Sequence, residues 1–127
     1  MIVDTSAVLA VLFREADAER YARAILTASP CRMSVASLLE ASIVVGGRGH
    51  ATDAELDSFV EEAEIELSPV TREQVEAARQ AWRRFGKGNH EAALNFGDCF
   101  AYALATVTGE PLLFKGDDFR HTDIEAA

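Results

Sequence analysis

Four short segments of strand character punctuate this chain: Met1 to Asp4, Cys31 to Val35, Ile65 to Leu67 and Leu112 to Phe114. The longer stretches between them carry helical periodicity. Parallel strands need long crossovers, so a chain that alternates strands with helices is constrained towards a mainly parallel sheet covered by helices. At 127 residues, 49% of them apolar, it is long enough to bury a core as one unit, and no repeat or linker divides residues 1–127.

The helical segments carry their own start and stop signals. A helix is expected from about Ser6 to Phe13, and a second, capped by Asp17, runs to about Thr27. A third passes through Leu38, Leu39, Ile43 and Val44 and ends in Gly46, Gly47 and Gly49. Thr52 with Glu55, and Thr71 with Gln74, have capping-box spacing, and each precedes an amphipathic pattern. Asn95 is placed to cap a small-residue helix from about Gly97 to Thr108, which Gly109 and Pro111 stop.

Carboxylates interrupt or border the apolar segments. Asp4 closes Met1-Ile2-Val3, Glu40 follows Leu38-Leu39, Asp98 precedes Cys99-Phe100-Ala101, and Asp117 lies just past Leu112-Leu113-Phe114. An unpaired carboxylate is costly to bury, so such groups are paired, protonated or bound to a cation. Only Asp117 has a basic residue within three positions, namely Lys115 and Arg120. In a parallel α/β sheet, ligands bind beyond the carboxyl ends of the strands, where Asp4, Asp98 and Asp117 fall on this reading. Glu40 sits further along its helix and must reach back towards the strand edge. Clustered carboxylates need compensating positive charge, and oxygen ligands of this kind suit Mg²⁺ or Mn²⁺. The chemistry indicated is phosphoryl transfer or phosphodiester hydrolysis.

A net charge of −9 argues at first against a nucleic-acid partner. The charge is unevenly spread, however. Residues 53 to 66 hold seven acids and no base, while Arg79, Arg83, Arg84 and Lys87 lie in a stretch without acids. Arg79, Arg83 and Lys87 recur at four-residue spacing on one helix face, a candidate track for RNA phosphates. Cys31 and Cys99 match neither a zinc spacing nor a redox pair and read as reduced core thiols of a cytosolic protein. No signal peptide or membrane span is expected.

The segments Met1-Ile2-Val3-Asp4-Thr5-Ser6-Ala7, Ser34 to Ala41, Leu94 to Ala105 and Leu112 to Phe119, in this order, resemble the PIN-domain family, in particular the VapC-like toxins of bacterial type II toxin–antitoxin systems. The resemblance implies a three-layer α/β/α sandwich and a Mg²⁺- or Mn²⁺-dependent endoribonuclease in which metal-activated water attacks the phosphodiester. It implies Asp4 and Asp98 as principal metal ligands, Glu40 and Asp117 as completing the catalytic site, and Ser6 and Thr5 as hydrogen-bonding within it. Asp118 is an alternative to Asp117, because Gly116-Asp117-Asp118-Phe119 is shorter than common versions of that motif. It further implies a cognate VapB-like antitoxin, an RNA substrate, a homodimer and a cytoplasmic location. Two rivals are a PIN-like module that binds without cleaving, and a haloacid-dehalogenase-like phosphatase. The phosphatase would need a second acid where this chain has Ser6.

Overall fold

The computed structural model describes residues 1–127. Strand β1 (Ile2–Val3) leads into α1 (Thr5–Leu12) and α2 (Ala18–Thr27), and β2 (Cys31–Ser34) into α3 (Val35–Arg48) and α4 (Asp53–Glu62). Then come β3 (Ile65–Ser68), α5 (Arg72–Phe85), α6 (Phe96–Thr108), β4 (Leu112–Leu113) and a 3-10 turn over Asp118–His121. The four strands pair in parallel in the order β3-β2-β1-β4, which places the short apolar β1 inside the sheet, between β2 and β4.

Neighbouring strand residues point to opposite faces, and both faces of this sheet are covered. Ile2 and Leu112 pack with Ala81, Phe85, Leu94, Ala101 and Leu104 beneath α5 and α6. Val3 and Leu113 turn the other way and meet Val8, Ile25, Met33, Val45 and Leu56. The expected α/β/α sandwich is thus present, with one core on each side of the sheet. Both cysteines are buried and free, and burial pushes each thiol up to about 11. No helix is long and apolar enough to cross a membrane.

Local chemistry shifts several boundaries from those expected. Val35 belongs to α3 rather than to the strand, because the Ser34 hydroxyl caps the helix by accepting the Ala36 N–H. Gly46 and Gly47 stay helical, and the chain turns only at Gly49, whose φ of 67° is left-handed. The Thr52–Glu55 capping box is complete, whereas Thr71 forms only half of one, since the Gln74 side chain donates to the Pro69 carbonyl. Asp17 precedes α2 but makes no capping bond; its carboxylate accepts from Lys115 instead, which holds it below the usual range. At the other end of the chain, Leu112 donates to Glu125 and accepts from Ala127, so the tail extends the sheet beyond β4.

Candidate active site

Each site acid owes its position to a local structural need. Asp4 is the N-cap of α1: its backbone N–H still pairs with the Leu113 carbonyl, while its Oδ2 accepts the Ser6 N–H at 3.0 Å and the Ser6 hydroxyl at 2.6 Å. Its other oxygen, Oδ1, is buried with no partner. Asp98 occupies the first turn of α6 in a reciprocal capping box, accepting the Asn95 N–H at 2.9 Å while its own N–H donates to Asn95 Oδ1 at 2.9 Å. Asn95 is the cap expected from the sequence; the structure adds that Asp98 is its reciprocal partner.

Glu40 reaches the site as its place on α3 requires. Its carboxylate lies directly against the Cα of Gly97, where a Cβ would overlap Oε2. Gly97 therefore serves the site by lacking a side chain, although its φ imposes no such need. Periodicity gives no hint of this; the hint is a glycine beside a capping acid in an otherwise good helix. Between Asp4 and Glu40, the Thr5 hydroxyl donates to the Ser37 carbonyl at 2.9 Å and ties the start of α1 to the start of α3. Of the two hydroxyls expected to bond within the acids, Ser6 does so and Thr5 does not.

The carboxylates act on one another. Burial, with Asp4 only 4% exposed, pushes its pKa up to about 6 against the Ser6 hydrogen bonds, and the charge of Glu40 adds to the rise. Asp98 is pushed up to about 7, first by burial and then by the charges of Asp4, Asp118 and Glu40, against the stabilising Asn95 N–H. These mutual effects group Asp4, Glu40, Asp98 and Asp118. Asp117 stands outside that group: it faces solvent and pairs with Arg120 at 3.3 Å. Asp118, equally exposed, opens the 3-10 turn that follows the left-handed Gly116 and differs in that its charge acts on Asp98.

Lys115, three residues before Asp118, does not neutralise this group. Its ammonium bonds Glu15 and Asp17, which raises its pKa, while its backbone N–H donates to Ser6 Oγ at 2.9 Å. The donor set is thus all oxygen, rich in negative charge and partly desolvated, with an unpartnered oxygen at its core. Those features fit a small, hard divalent cation. No three of these side chains are arranged as a metal site in this structure. An ion here would be held by one or two of the carboxylates with waters completing its shell.

The family profile of the PIN domain matches residues 1–125. The chain belongs to the PIN-domain family. Within that family its relatives are VapC ribonucleases. It is 49% identical over 125 residues to ribonuclease VapC30 of Mycobacterium tuberculosis, covering 98% of this chain and 95% of the relative. To ribonuclease VapC of Mycolicibacterium smegmatis it is 50% identical over 127 residues, covering 99% and 98%. Among solved structures it resembles that of Mycobacterium tuberculosis VapC20, a toxin that cleaves the sarcin-ricin loop, with a TM-score of 0.78 over 99% of this chain and 97% of that one. At 18% identity that likeness speaks for the fold, which is PIN-like throughout. The resemblance read from the four segments around Asp4, Glu40, Asp98 and Asp117 is therefore to the right family.

Proposed function

We propose that this chain is the endoribonuclease toxin of a toxin–antitoxin pair, with Asp4 and Asp98 as the principal ligands of Mg²⁺, or Mn²⁺ in its place, Glu40 completing the acidic site, and Asp118 rather than Asp117 as the fourth acid. The observation that carries the reading is Asp4: a buried carboxylate with one oxygen unpartnered and its ionisation opposed by burial and by the charge of Glu40. Such a group gains from a cation and from little else available in the chain. An acidic cluster by itself repels phosphate, so the same cation is also what lets RNA approach. When bound, it supplies positive charge to the scissile phosphate and acidifies water. Ser6 and Asn95 fix one oxygen of Asp4 and of Asp98, leaving the second of each to face the ion.

The relatives named VapC ribonucleases support the activity. Basic residues near the site support RNA as the substrate. On α5, Arg79 is engaged by Glu76 and Arg84 by Asp123, while Arg83 has no ion-pair partner; Lys87, also unpaired, falls beyond the end of α5 at Phe85 rather than on the expected helix face. The reading includes a VapB-like antitoxin, a second copy of the chain as homodimer partner, and a cytoplasmic setting. Exposed Leu39 and Ile43 on α3 and Phe96 on α6, the last 78% exposed, favour protein contacts beside Glu40 and Gly97. A groove of about 520 Å³ lined by Val75, Trp82, Phe96 and Phe100 continues that apolar surface.

The test is cleavage of structured RNA by purified protein with Mg²⁺ or Mn²⁺, with and without EDTA, beside an Asp4→Asn control. We expect EDTA-sensitive scission leaving 5′-phosphate ends, absent from the variant. Equal cleavage by Asp4→Asn, or none by wild type with either ion, sinks the reading.

A further inference from the structure

One lysine joins three parts of the molecule that carry the site. The connection between α1 and α2 turns sharply at Arg14, whose φ of 52° is left-handed and unfavourable for a residue with a side chain. The Glu15 N–H then bonds the Ala10 carbonyl at 3.0 Å, which turns the segment back on α1. Glu15 and Asp17 on this connection both receive the Lys115 ammonium, Asp17 at 2.6 Å, although they lie about a hundred residues earlier in the chain. All three side chains are only about one-third exposed. Two carboxylates on one ammonium form a small charge network, which counts for more than an isolated surface pair.

Lys115 follows β4 by two residues, where the chain leaves the sheet towards Asp118. Its backbone N–H donates to Ser6 Oγ, and Ser6 Oγ donates to Asp4 Oδ2 at 2.6 Å. Gly116 comes next, at φ 100°, and Asp118 two residues later lies close enough for its charge to act on Asp98. The ammonium is meanwhile committed to Glu15 and Asp17, so it does not cancel the negative charge that would hold a cation.

We propose that Lys115 is a positioning residue of the nuclease site: anchored to Glu15 and Asp17, it sets the backbone that holds Ser6 on Asp4 and launches the turn that brings Asp118 to Asp98. It touches neither substrate nor metal. The inference rests on the metal-dependent reading above. Residues that orient metal ligands typically change affinity or activity by about 10- to 100-fold when removed.

The experiment is calorimetric titration of Mn²⁺ into purified full-length protein, with a thermal scan of each variant. Lys115→Met should raise the Mn²⁺ dissociation constant by about tenfold. Glu15→Gln combined with Asp17→Asn should reproduce that change, because the ammonium then loses both anchors, and Lys115→Arg should largely restore affinity. Arg32→Met serves as the stability control. It breaks the pairs with Glu66 and Glu110 at the opposite end of the strands, and should lower Tm with affinity unchanged. Wild-type affinity in folded Lys115→Met or in the Glu15/Asp17 double variant overturns the proposal. So does an equal loss in Arg32→Met, which would mean that affinity merely follows stability. If Lys115→Met does not fold, the double variant and Lys115→Arg decide the matter. Wild-type protein that binds no Mn²⁺ overturns the metal-dependent reading itself, and this inference with it.

Discussion

The carboxylate of Glu40 fills the space that a side chain at Gly97 would need, with Oε2 standing where a Cβ would go. Two helices, α3 and α6, therefore meet at the site through an acid on one and a missing methyl on the other.

Gly97→Ala should evict Glu40 from this place. The obstacle is the mobile end of a side chain, so the fold should survive while RNA cleavage falls by about 10- to 100-fold, as when a metal ligand is no longer oriented. Gly47→Ala is the matched control: it lies within α3, nothing stands within 4 Å of its Cβ, and it should gain about 0.5–1 kcal/mol. Paired measurements of Tm and cleavage rate separate the two, and an active Gly97→Ala enzyme would show that Glu40 is dispensable.

The adjacent aspartates offer a sharp contrast. Asp118→Asn should weaken Mn²⁺ binding and slow cleavage, whereas Asp117→Asn should leave both close to wild type, since it forfeits only an exposed pair with Arg120. The reverse order of effects in a side-by-side titration would return Asp117 to the site.

Acidity gives a third test. Asp4 and Asp98 titrate at about 6 and about 7 in the folded chain, above the ordinary 3.8. Between those values and 3.8 the native state holds protons that the unfolded chain has released. The contribution of these groups to stability is therefore greatest at low pH and declines as pH rises through that window. Metal-free protein should lose Tm from about pH 4 to about pH 7 on this account, and level off above. Asp98→Asn should flatten the decline, and Mg²⁺ should offset it increasingly towards high pH, because cation and proton compete for the same oxygens. A slope in thermal scans that Asp98→Asn leaves unaltered would count against the acid cluster.

Substrate binding should appear as salt dependence. Arg83→Ala with Lys87→Ala should weaken RNA binding and reduce the slope of log K against log salt by about 0.7 for each phosphate of a single-stranded RNA that is no longer neutralised. Binding measured at several salt concentrations with a catalytically inactive Asp4→Asn background would reveal it. An unchanged slope would assign these two side chains to solvent.

Much of this site is legible in the sequence, for reasons tied to particular residues. Asp4 and Asp98 stand out because each lies at the junction of an apolar segment with a helix, where burial and capping follow from local pattern. Glu40 is conspicuous from its place in Leu38-Leu39-Glu40-Ala41, though its contact with Gly97 depends on how two distant helices cross. The choice between Asp117 and Asp118 is beyond periodicity, because it turns on the left-handed Gly116 and a single 3-10 turn. Lys115 misleads in a different way: near Asp117 in sequence, it pairs with residues from the first fifth of the chain. The return of the tail to Leu112 likewise leaves no pattern, since one bridge at Ala126 has no period to read.

The caps on Asp4 and Asp98 also bear on ion selectivity. Ser6 and Asn95 each occupy one oxygen of a carboxylate, so as ligands Asp4 and Asp98 would more readily offer one oxygen than both. Small octahedral ions accept that denticity readily, whereas Ca²⁺ favours larger shells in which carboxylates often bind through both oxygens. With Asp4 and Asp98 as ligands, the hydrogen bonds that begin α1 and α6 would act as a size filter, tying the choice of ion to the same few atoms that start two helices.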